Sequence, residues 1–392
     1  MNAKWQTRKL GEVCEIIMGQ SPHGSSYNVV GSGTPLINGP VEFNPEPFGQ
    51  TIKSKFTTHP TKLCRANDLI LCVRGSTTGR MNISGFDACI GRGVAAIRAR
   101  DFQPWINHFV NWRRHHIYAL GTGATFPNVS GEMLAGLEIA IPPVAEQRRI
   151  VATLDEAFAS IAIARANAER NLQNAGELFE NHLHDFFARC RDKYSGGPLR
   201  HLCDSSRVIT YGVIKLGEEI PNGVPCLRTS NVRWLRIDTK GMKRISPRLS
   251  SEYSRTVLRG GEVLVNVRGT LGGVAVVGSN MAGWNVSREV AVVPVDSTLI
   301  DPSFLCYLIG SGVSQEWLGG VKKGAAYVGI NIEDLRLLPV HAPELGEQRT
   351  IVRSLDAVAS ESRRLEAIYQ RKLTALDELK QALLDEAFSG KL

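Results

Sequence analysis

An internal repeat constrains this chain more than any other feature. EQRRIVATLD begins at Glu146 and EQRTIVRSLD begins at Glu347, 347 − 146 = 201 residues later in a chain of 392. The preceding text also matches, because GLEIAIPPVAEQ parallels RLLPVHAPELGEQ and, further upstream, NDLILCVRGSTTGR resembles GEVLVNVRGTLGGV. Self-similarity at a fixed period means that one structural unit is built more than once. The sequence therefore predicts two similar halves.

Each copy of the decapeptide opens a long amphipathic segment. After Glu146 and after Glu347, apolar residues recur every three or four positions over about forty residues, which is the period of a helix with one apolar stripe. A long helix with a narrow apolar seam needs a partner that covers the seam. The other long helix is the obvious partner, and the two are expected to form a coiled coil. Because the chain leaves the first half on one helix and returns on the second, we expect the two helices to be antiparallel.

Short strands precede each helix. DLILCVR, GVAAIRA, EVLVNVR and EVAVVPV are apolar runs broken by Gly, Ser and Asn turns. The fold class is therefore predicted as α+β, with two pseudo-symmetric globular domains joined by two long antiparallel helices. The predicted boundaries are a first globule at 1–143, a first helix at 144–190, a second globule at 191–343 and a second helix at 344–392.

The sequence carries no recognisable catalytic or metal-binding pattern. It contains no Walker A sequence, no HExxH and no GxSxG. His115, His116, His182 and His184 fall on predicted helices and are expected to be solvated or hydrogen-bonded rather than metal ligands. The eight cysteines are scattered without a CxxC pair and are expected to be free thiols. The first residues lack a secretory signal and no run is long enough to span a membrane, so we expect a cytoplasmic protein.

Positive charge is concentrated in one segment of each half. Ten Lys or Arg face three acids between Arg228 and Arg268, and seven Arg face two acids between Arg74 and Arg114, in a chain with net charge +8. Clustered basic residues are typical of nucleic-acid binding. The alternative is that they only solvate a surface, although their recurrence in both halves favours binding.

The whole chain resembles the specificity subunit of type I restriction-modification systems. The residues that carry the resemblance are GQSPHGSSYN from Gly19, GTPLINGPVEF, VRGSTTG and PPVAEQRRIV before a long helix, and the prolines followed by EQRxIV, which occur twice, are the most specific. The second half departs from the pattern, since ITYGVIKLG and VPCLRTS replace GQSP and PLI. The resemblance implies that each globule is a target recognition domain and that the helices are a spacer.

The resemblance also implies partners and cofactors. Two methyltransferase subunits would bind this non-catalytic subunit, and endonuclease-translocase subunits would join them. S-adenosylmethionine, ATP and Mg are expected on those partners and none of them on this chain. The competing hypotheses are a coiled-coil adaptor that assembles protein partners without reading DNA, and a self-contained enzyme, which the missing motifs disfavour. We also expect the EQR helix starts to be exposed, as docking surfaces or as an ordinary solvated face.

Because the two globules have different loop sequences, we expect them to recognise different short DNA sequences. The DNA site is therefore expected to be bipartite and asymmetric, with one half-site per domain. Arginine is the expected base reader, because its planar fork can bridge two acceptors of guanine in the major groove. Each candidate could instead be an ordinary surface residue. The candidate DNA-binding residues are Ser21, Arg74, Thr77, Arg80, Arg92, Arg228, Thr229, Asn231, Arg233, Arg268, Thr270 and Arg288, with Arg74 and Arg268 favoured because both halves keep VRG.

Overall fold

The computed structural model describes residues 5–121, 127–322 and 329–392. Its contacts divide the chain into two compact units. Unit 1 consists of Met1–Ala168 with Lys372–Leu392, and unit 2 is Glu169–Arg371. Both division points lie inside long helices and not at the predicted globule ends, because each globule packs on part of both helices.

The strands are short and fall into two similar series, with eleven among the described residues of each unit. Those of unit 1 are β1 Gln6–Lys9, β2 Cys14–Met18, β3 Tyr27–Asn28, β4 Thr34–Ile37, β5 Phe56–Thr57, β6 Leu63–Cys64, β7 Leu69–Cys72, β8 Met81–Ile83, β9 Ala88–Ile90, β10 Val94–Ala99 and β11 Glu138–Ile141. Those of unit 2 are β12 Gly196–Pro198, β13 Thr210–Tyr211, β14 Val224–Leu227, β15 Val232–Arg233, β16 Arg236–Ile237, β17 Lys243–Ile245, β18 Val263–Asn266, β19 Val274–Val276, β20 Asn285–Val286, β21 Val290–Val293 and β22 Pro339–His341.

Two of the α-helices are far longer than the others, at 50 and 45 residues. The helices are α1 Leu10–Val13, α2 Gln103–Trp112, α3 Arg114–Leu120, α4 Gly131–Ala135, α5 Val144–Lys193, α6 Pro247–Glu252, α7 Pro302–Gly310, α8 Gly312–Gly320, α9 Ile332–Arg336 and α10 Leu345–Ser389. None of the helices among the described residues combines the length and apolarity that a bilayer span requires.

The same sheet occurs in both units. In unit 1 the order is β2-β10-β7-β8 and in unit 2 it is β13-β21-β18-β19, with antiparallel pairing throughout. Each unit also has a two-stranded antiparallel sheet, which pairs β1 with β11 in unit 1 and β12 with β22 in unit 2. The α+β class and the prediction of two similar halves are both confirmed. The central strands β7 and β18 are fully buried, which explains their continuous apolar sequences.

The units differ in the sheets that lie outside this common part. Unit 1 adds a five-stranded sheet in the order β3-β5-β4-β9-β6, whereas unit 2 adds a three-stranded sheet, β17-β14-β20, and the hairpin β15-β16. Most of these strands lie within residues 20–60 and 211–260, where the two halves of the sequence match least.

In unit 1 the first part of α5 packs antiparallel to the end of α10. Leu154 shares a buried core with Leu384 and Phe388. One turn further along α5, the ammonium of Lys380 lies 5.0 Å from the ring centroid of Phe158, and Arg165 forms an ion pair with Asp377. Residues further along α5 therefore contact residues earlier in α10, as antiparallel packing requires.

Unit 2 shows the same arrangement between the rest of α5 and the start of α10. The hydroxyl of Ser362 donates a hydrogen bond of 2.5 Å to the carbonyl of Ala175 inside the seam. Near the end of α5, the hydroxyl of Tyr194 donates to the carboxylate of Glu347 at 2.7 Å. The predicted antiparallel pairing of the two long helices is therefore observed inside each unit.

The glutamine of the repeated decapeptide is a buried structural residue in both copies. Gln147 is 4% exposed and donates to the carbonyl of Pro142 at 2.8 Å, and Gln348 is 1% exposed and donates to the carbonyl of Pro343 at 2.9 Å. The backbone N–H of Asp301 also donates to Gln348, at 2.8 Å. The expectation that the EQR starts are exposed is wrong for this residue, because its carboxamide fastens the proline loop to the helix.

The aspartate that ends the decapeptide is also explained by its contacts. Asp155 lies 2.9 Å from the Nε2 atom of His108 on α2. Asp356 accepts a hydrogen bond of 2.5 Å from the hydroxyl of Tyr307 on α7. In each unit the decapeptide therefore links the long helix to the first helix that follows the sheet.

Other predicted side chains take ordinary positions. His115, His116 and His182 are exposed, and the cysteines are free thiols that are buried except for the half-buried Cys203. Burial raises the pKa of the Cys14, Cys226 and Cys306 thiols to about 12. No group of three or more possible metal ligands occurs within residues 5–121, 127–322 and 329–392.

Candidate nucleic-acid interface

The VRG sequence forms the same turn in both units. In each case a buried central strand ends two residues before the arginine, so that Arg74 follows β7 and Arg268 follows β18. The next residues, Gly75 and Gly269, have φ angles of +85° and +71°. Glycine reaches this left-handed region without the steric penalty of a Cβ atom. The turn directs the chain away from the sheet and leaves Arg74 exposed and Arg268 partly exposed.

Backbone pairing shows that the two arginines occupy equivalent positions. Arg74 forms an isolated antiparallel bridge with Asn128, and Arg268 forms one with Gly329. In each unit the bridged residue lies just before a short helix, α4 or α9. The partner strand thus fixes the direction in which each arginine leaves the backbone.

A second arginine lies beside the first in each unit. Arg92 and Arg288 stand in the turns that precede β10 and β21. The backbone N–H of Arg92 donates to the hydroxyl of Ser21 at 3.2 Å, and that of Arg288 donates to the carbonyl of Val213 at 2.9 Å. These bonds tie the second turn to the segment that follows the edge strand, β2 or β13.

The two arginine turns are joined to each other as well. The N–H of Val73 donates to the carbonyl of Gly93 at 3.0 Å, and the N–H of Val267 donates to the carbonyl of Glu289 at 2.9 Å. Because these bonds involve residues next to the arginines, the sheet sets the spacing of each pair. The result in each unit is two guanidinium groups on adjoining, backbone-fastened turns.

In unit 1 the pair opens into a cleft of about 380 Å³. Its lining residues supply two guanidinium groups, a phenol, a carboxamide and a hydroxyl; they are Ser21, Tyr27, Asn38, Arg74, Arg92 and Gly93. None of these lining residues carries a carboxylate. Such a set of donors suits the phosphate oxygens and the guanine acceptors of DNA.

Sequence reasoning missed Tyr27 and Asn38. The Tyr27 hydroxyl donates to the carbonyl of Pro22 at 3.2 Å, and the backbone N–H of Asn38 donates to the buried carboxylate of Glu42 at 3.1 Å. Both residues lie in segments that carried the family resemblance, GQSPHGSSYN and PLINGP. Their chemistry was visible there, but the second half offered no matching residue to single them out.

Unit 2 presents a different surrounding to its arginine pair. The Arg268 guanidinium carbon lies 5.8 Å from the ring centroid of Tyr211, at the end of β13. The Nε atom of Arg288 lies 3.5 Å from the carboxylate of Glu289. Thr229 is also close, because a Cβ added to Gly269 would lie 3.8 Å from its hydroxyl. Sequence reasoning missed Tyr211 for the same reason as the residues of the unit 1 cleft.

Asn231 does not fit the predicted role and is revised. It is 0% exposed, accepts a hydrogen bond from the backbone N–H of Arg228 at 3.0 Å, and donates to the carbonyls of Asp238 and Lys240 at 2.9 and 3.2 Å. Its side chain therefore shapes a turn and is not presented to a ligand. The guanidinium of Arg228 is partly engaged too, since it donates to the carbonyl of Gly241 at 2.9 Å.

The remaining predicted residues lie on the surface near these turns or further along them. Arg80, Arg233 and Thr270 are exposed, whereas Thr77 is half-buried in the turn that starts at Gly75. The carbonyl of Thr77 accepts from the N–H of Arg80 at 3.0 Å. Of the predicted residues, Ser21, Arg74 and Arg92 share the cleft described above.

Comparison with known proteins gives one family and several relatives. The profile described as the type I restriction modification DNA specificity domain matches residues 2–172 and 224–372. The Escherichia coli type I restriction enzyme EcoBI specificity subunit is 25% identical over 298 residues, which are 70% of this chain and 63% of that protein. This chain therefore spans less than two thirds of the length of that relative.

Two solved structures have a similar fold. One is a chain from a study of the complex assembly and conformational transition of the type I R-M system, with a TM-score of 0.78, 20% identity, and coverage of 99% of this chain and 98% of that one. The other is the HsdS subunit from Thermoanaerobacter tengcongensis, with a TM-score of 0.61, 21% identity and coverage of 99% and 97%. At these identities the likeness establishes the fold.

Proposed function

Because the chain belongs to the family of the type I restriction modification DNA specificity domain, we propose that it is the subunit that reads DNA sequence for a type I restriction-modification complex. Each unit reads one half-site, and the arginine pairs Arg74 with Arg92 and Arg268 with Arg288 make the principal contacts. The observation that carries the proposal is the recurrence of this pair on the same two turns of the same sheet.

The difference between the two surroundings supports an asymmetric site. Each pair has a tyrosine nearby, but the first is accompanied by a hydroxyl and a carboxamide and the second by the carboxylate of Glu289. Two readers that present different groups prefer different base edges, since each base pair shows its own donor and acceptor pattern in the major groove. The two half-sites are therefore different sequences.

In this proposal the partner subunits carry out DNA methylation and cleavage. Two methyltransferase subunits that use S-adenosylmethionine, and endonuclease-translocase subunits that use ATP and Mg, act at the site that this chain selects. If the methyltransferases modify an adenine in each half-site, the base has to leave the helical stack. The role of this chain is then to hold a distorted duplex by contacts that survive the distortion.

The test is binding-site selection from a randomised duplex library by the chain in complex with its methyltransferase subunits. Arg74→Ala should relax selection in one half-site and Arg268→Ala in the other, each with a loss of about 1 to 3 kcal/mol against the cognate site. Arg8→Ala is a matched control, because it removes the same charge from an exposed side chain outside both basic segments, where the guanidinium donates to Gln6 at 2.9 Å.

The results separate this proposal from the adaptor hypothesis. A reader gives binding that is selective for sequence and falls steeply with salt. An adaptor gives the same assembly with its protein partners and no selected sequence, and that outcome would refute the proposal. Selection that survives both arginine substitutions would refute the assignment of residues.

A further inference from the structure

The two equivalent arginines are held by different means. Both leave the backbone from the same turn, but Arg74 is bridged to Asn128, which has a polar side chain, and Arg268 is bridged to Gly329, which has none. An arginine side chain has four rotatable bonds, so its direction at the backbone does not fix the plane of its guanidinium. The neighbouring group that restrains the guanidinium plane therefore determines which of its N–H groups can reach a base.

In unit 1 the holding group is a carboxamide. The Nε–H of Arg74 donates to the Oδ1 atom of Asn128 at 3.1 Å. A guanidinium has five N–H donors in a fixed plane, so this bond uses the inner one and leaves the outer edge, formed by the two terminal nitrogens, for a ligand. That edge can donate to two acceptors at once, as the O6 and N7 atoms of guanine require.

In unit 2 the holding group is an aromatic ring. The guanidinium carbon of Arg268 lies 5.8 Å from the ring centroid of Tyr211, a distance at which a cation is attracted to the face of the ring. This contact restrains the guanidinium through its face and uses none of its five N–H donors. Among residues 5–121, 127–322 and 329–392, no hydrogen bond occupies the side edge, formed by Nε and one terminal nitrogen, or the outer edge.

Neither holding residue is needed for the core. Asn128 is exposed, and Tyr211 is 39% exposed at the end of a two-residue strand. Their side chains lie beside the arginines and outside the buried clusters of the two units. A residue that served only to pack the core would be buried, and neither of these two is.

We propose that Asn128 and Tyr211 are positioning residues that set the base preference of the two arginines, so that Arg74 reads guanine with its outer edge and Arg268 reads with either edge. The inference rests on the proposed function, because it requires both arginines to contact DNA. It assigns the difference between the half-sites partly to residues that themselves touch no base.

The experiment repeats selection from the randomised duplex library with Asn128→Ala, Tyr211→Ala and the matched control Tyr211→Phe. Asn128→Ala should reduce the preference at one position of the first half-site about two- to twelvefold, the fold-change that one ordinary hydrogen bond represents. Tyr211→Ala should reduce a preference in the second half-site about two- to fivefold, as expected for an exposed cation–π contact. Tyr211→Phe keeps the ring and should retain the wild-type preference.

A double variant distinguishes positioning from an independent contact. If Asn128 acts through Arg74, then the Arg74→Ala Asn128→Ala protein selects the same sites as Arg74→Ala alone. Losses that multiply would overturn the inference, as would a Tyr211→Phe protein that behaves like Tyr211→Ala. Wild-type selection by Asn128→Ala, while Arg74→Ala relaxes the half-site, overturns the inference and leaves the proposed function standing. Unchanged selection by Arg74→Ala and Arg268→Ala would instead count against the proposed residues themselves.

Discussion

Replacing the buried glutamine of the second decapeptide should destabilise unit 2 more than the matching change destabilises unit 1. Gln348→Met keeps the length and roughly the volume of the side chain but removes both polar atoms. The carbonyl of Pro343 and the N–H of Asp301 then lose partners at 2.9 and 2.8 Å, in a position that is 1% exposed. Asp301 is also the residue that caps α7, where its side chain accepts from the N–H groups of Ser303 and Phe304.

The magnitude follows from the number of groups left without partners. A buried donor or acceptor without a partner costs about 1 to 3 kcal/mol, so two such groups should lower the free energy of unfolding by about 2 to 4 kcal/mol, allowing for partial relaxation. Gln147→Met removes the bond to the carbonyl of Pro142 at a 4% exposed position and should cost about 1 to 2 kcal/mol.

Hydrogen exchange measured by mass spectrometry reads the two units separately. Gln348→Met should accelerate exchange in α7 and the start of α10 and leave α2 unchanged, whereas Gln147→Met should do the reverse to a smaller extent. Urea unfolding of both variants gives the matching free energies. A Gln348→Met protein as stable as the wild type, or more stable than Gln147→Met, would show that the hydrogen bonds do not explain why this residue recurs.

Further predictions concern the helices, an ion pair and the thiols. Adding seven residues to both long helices, after Ala168 and after Ile368, lengthens each by roughly 10 Å, so site selection should return unchanged half-sites with a spacer altered by about three base pairs, and altered half-site letters would contradict the proposal. Burial raises the pKa of the Glu262 carboxyl, but hydrogen bonds from Arg207 and from the N–H of Arg259 lower it by more, so the pKa lies below 4.5. The ion pair with Arg207 therefore stabilises the protein above that pH. Glu262→Gln should therefore cost about 1.5 to 3 kcal/mol at pH 7, and urea titrations should show the difference shrinking as the pH falls below 4.5. Because burial raises the pKa of the Cys72 thiol to about 11 and those of Cys14, Cys226 and Cys306 to about 12, iodoacetamide should label these four only after unfolding, and rapid native labelling would be inconsistent with the packing.

Repetition in the sequence predicted the parts of the structure that are themselves repeated. The helical period, the apolar strands and VRG each occur twice, and the structure shows the antiparallel helix pairing, the common sheet and the equivalent arginine turns. The repeat also held information that was misjudged: Gln348 is polar and stands at a helix start, so it was expected to be exposed. The carbonyl of Pro343 to which it donates is brought beside it only by the fold.

The parts that escaped prediction lie where the halves diverge. Tyr27, Asn38 and Tyr211 reach the arginines through loops and short strands that have no periodic pattern, so their positions depend on contacts between distant residues. Asn231 was predicted as a DNA contact, yet its carboxamide closes a turn, and burial decides between the two roles. Residue type alone states what a side chain can do and not where the backbone places it.

The division of the two units along the chain has a consequence for synthesis on the ribosome. Unit 2 is one continuous stretch, whereas the core of unit 1 includes Leu384, Ala387 and Phe388 from the last helix. The half that is translated first can therefore complete its core only after the half that is translated second has emerged. Nascent chains that lack Lys372–Leu392, and carry an unstructured linker long enough to bring Arg371 out of the ribosomal exit tunnel, should hold unit 2 in a protease-resistant form while unit 1 remains open to cleavage.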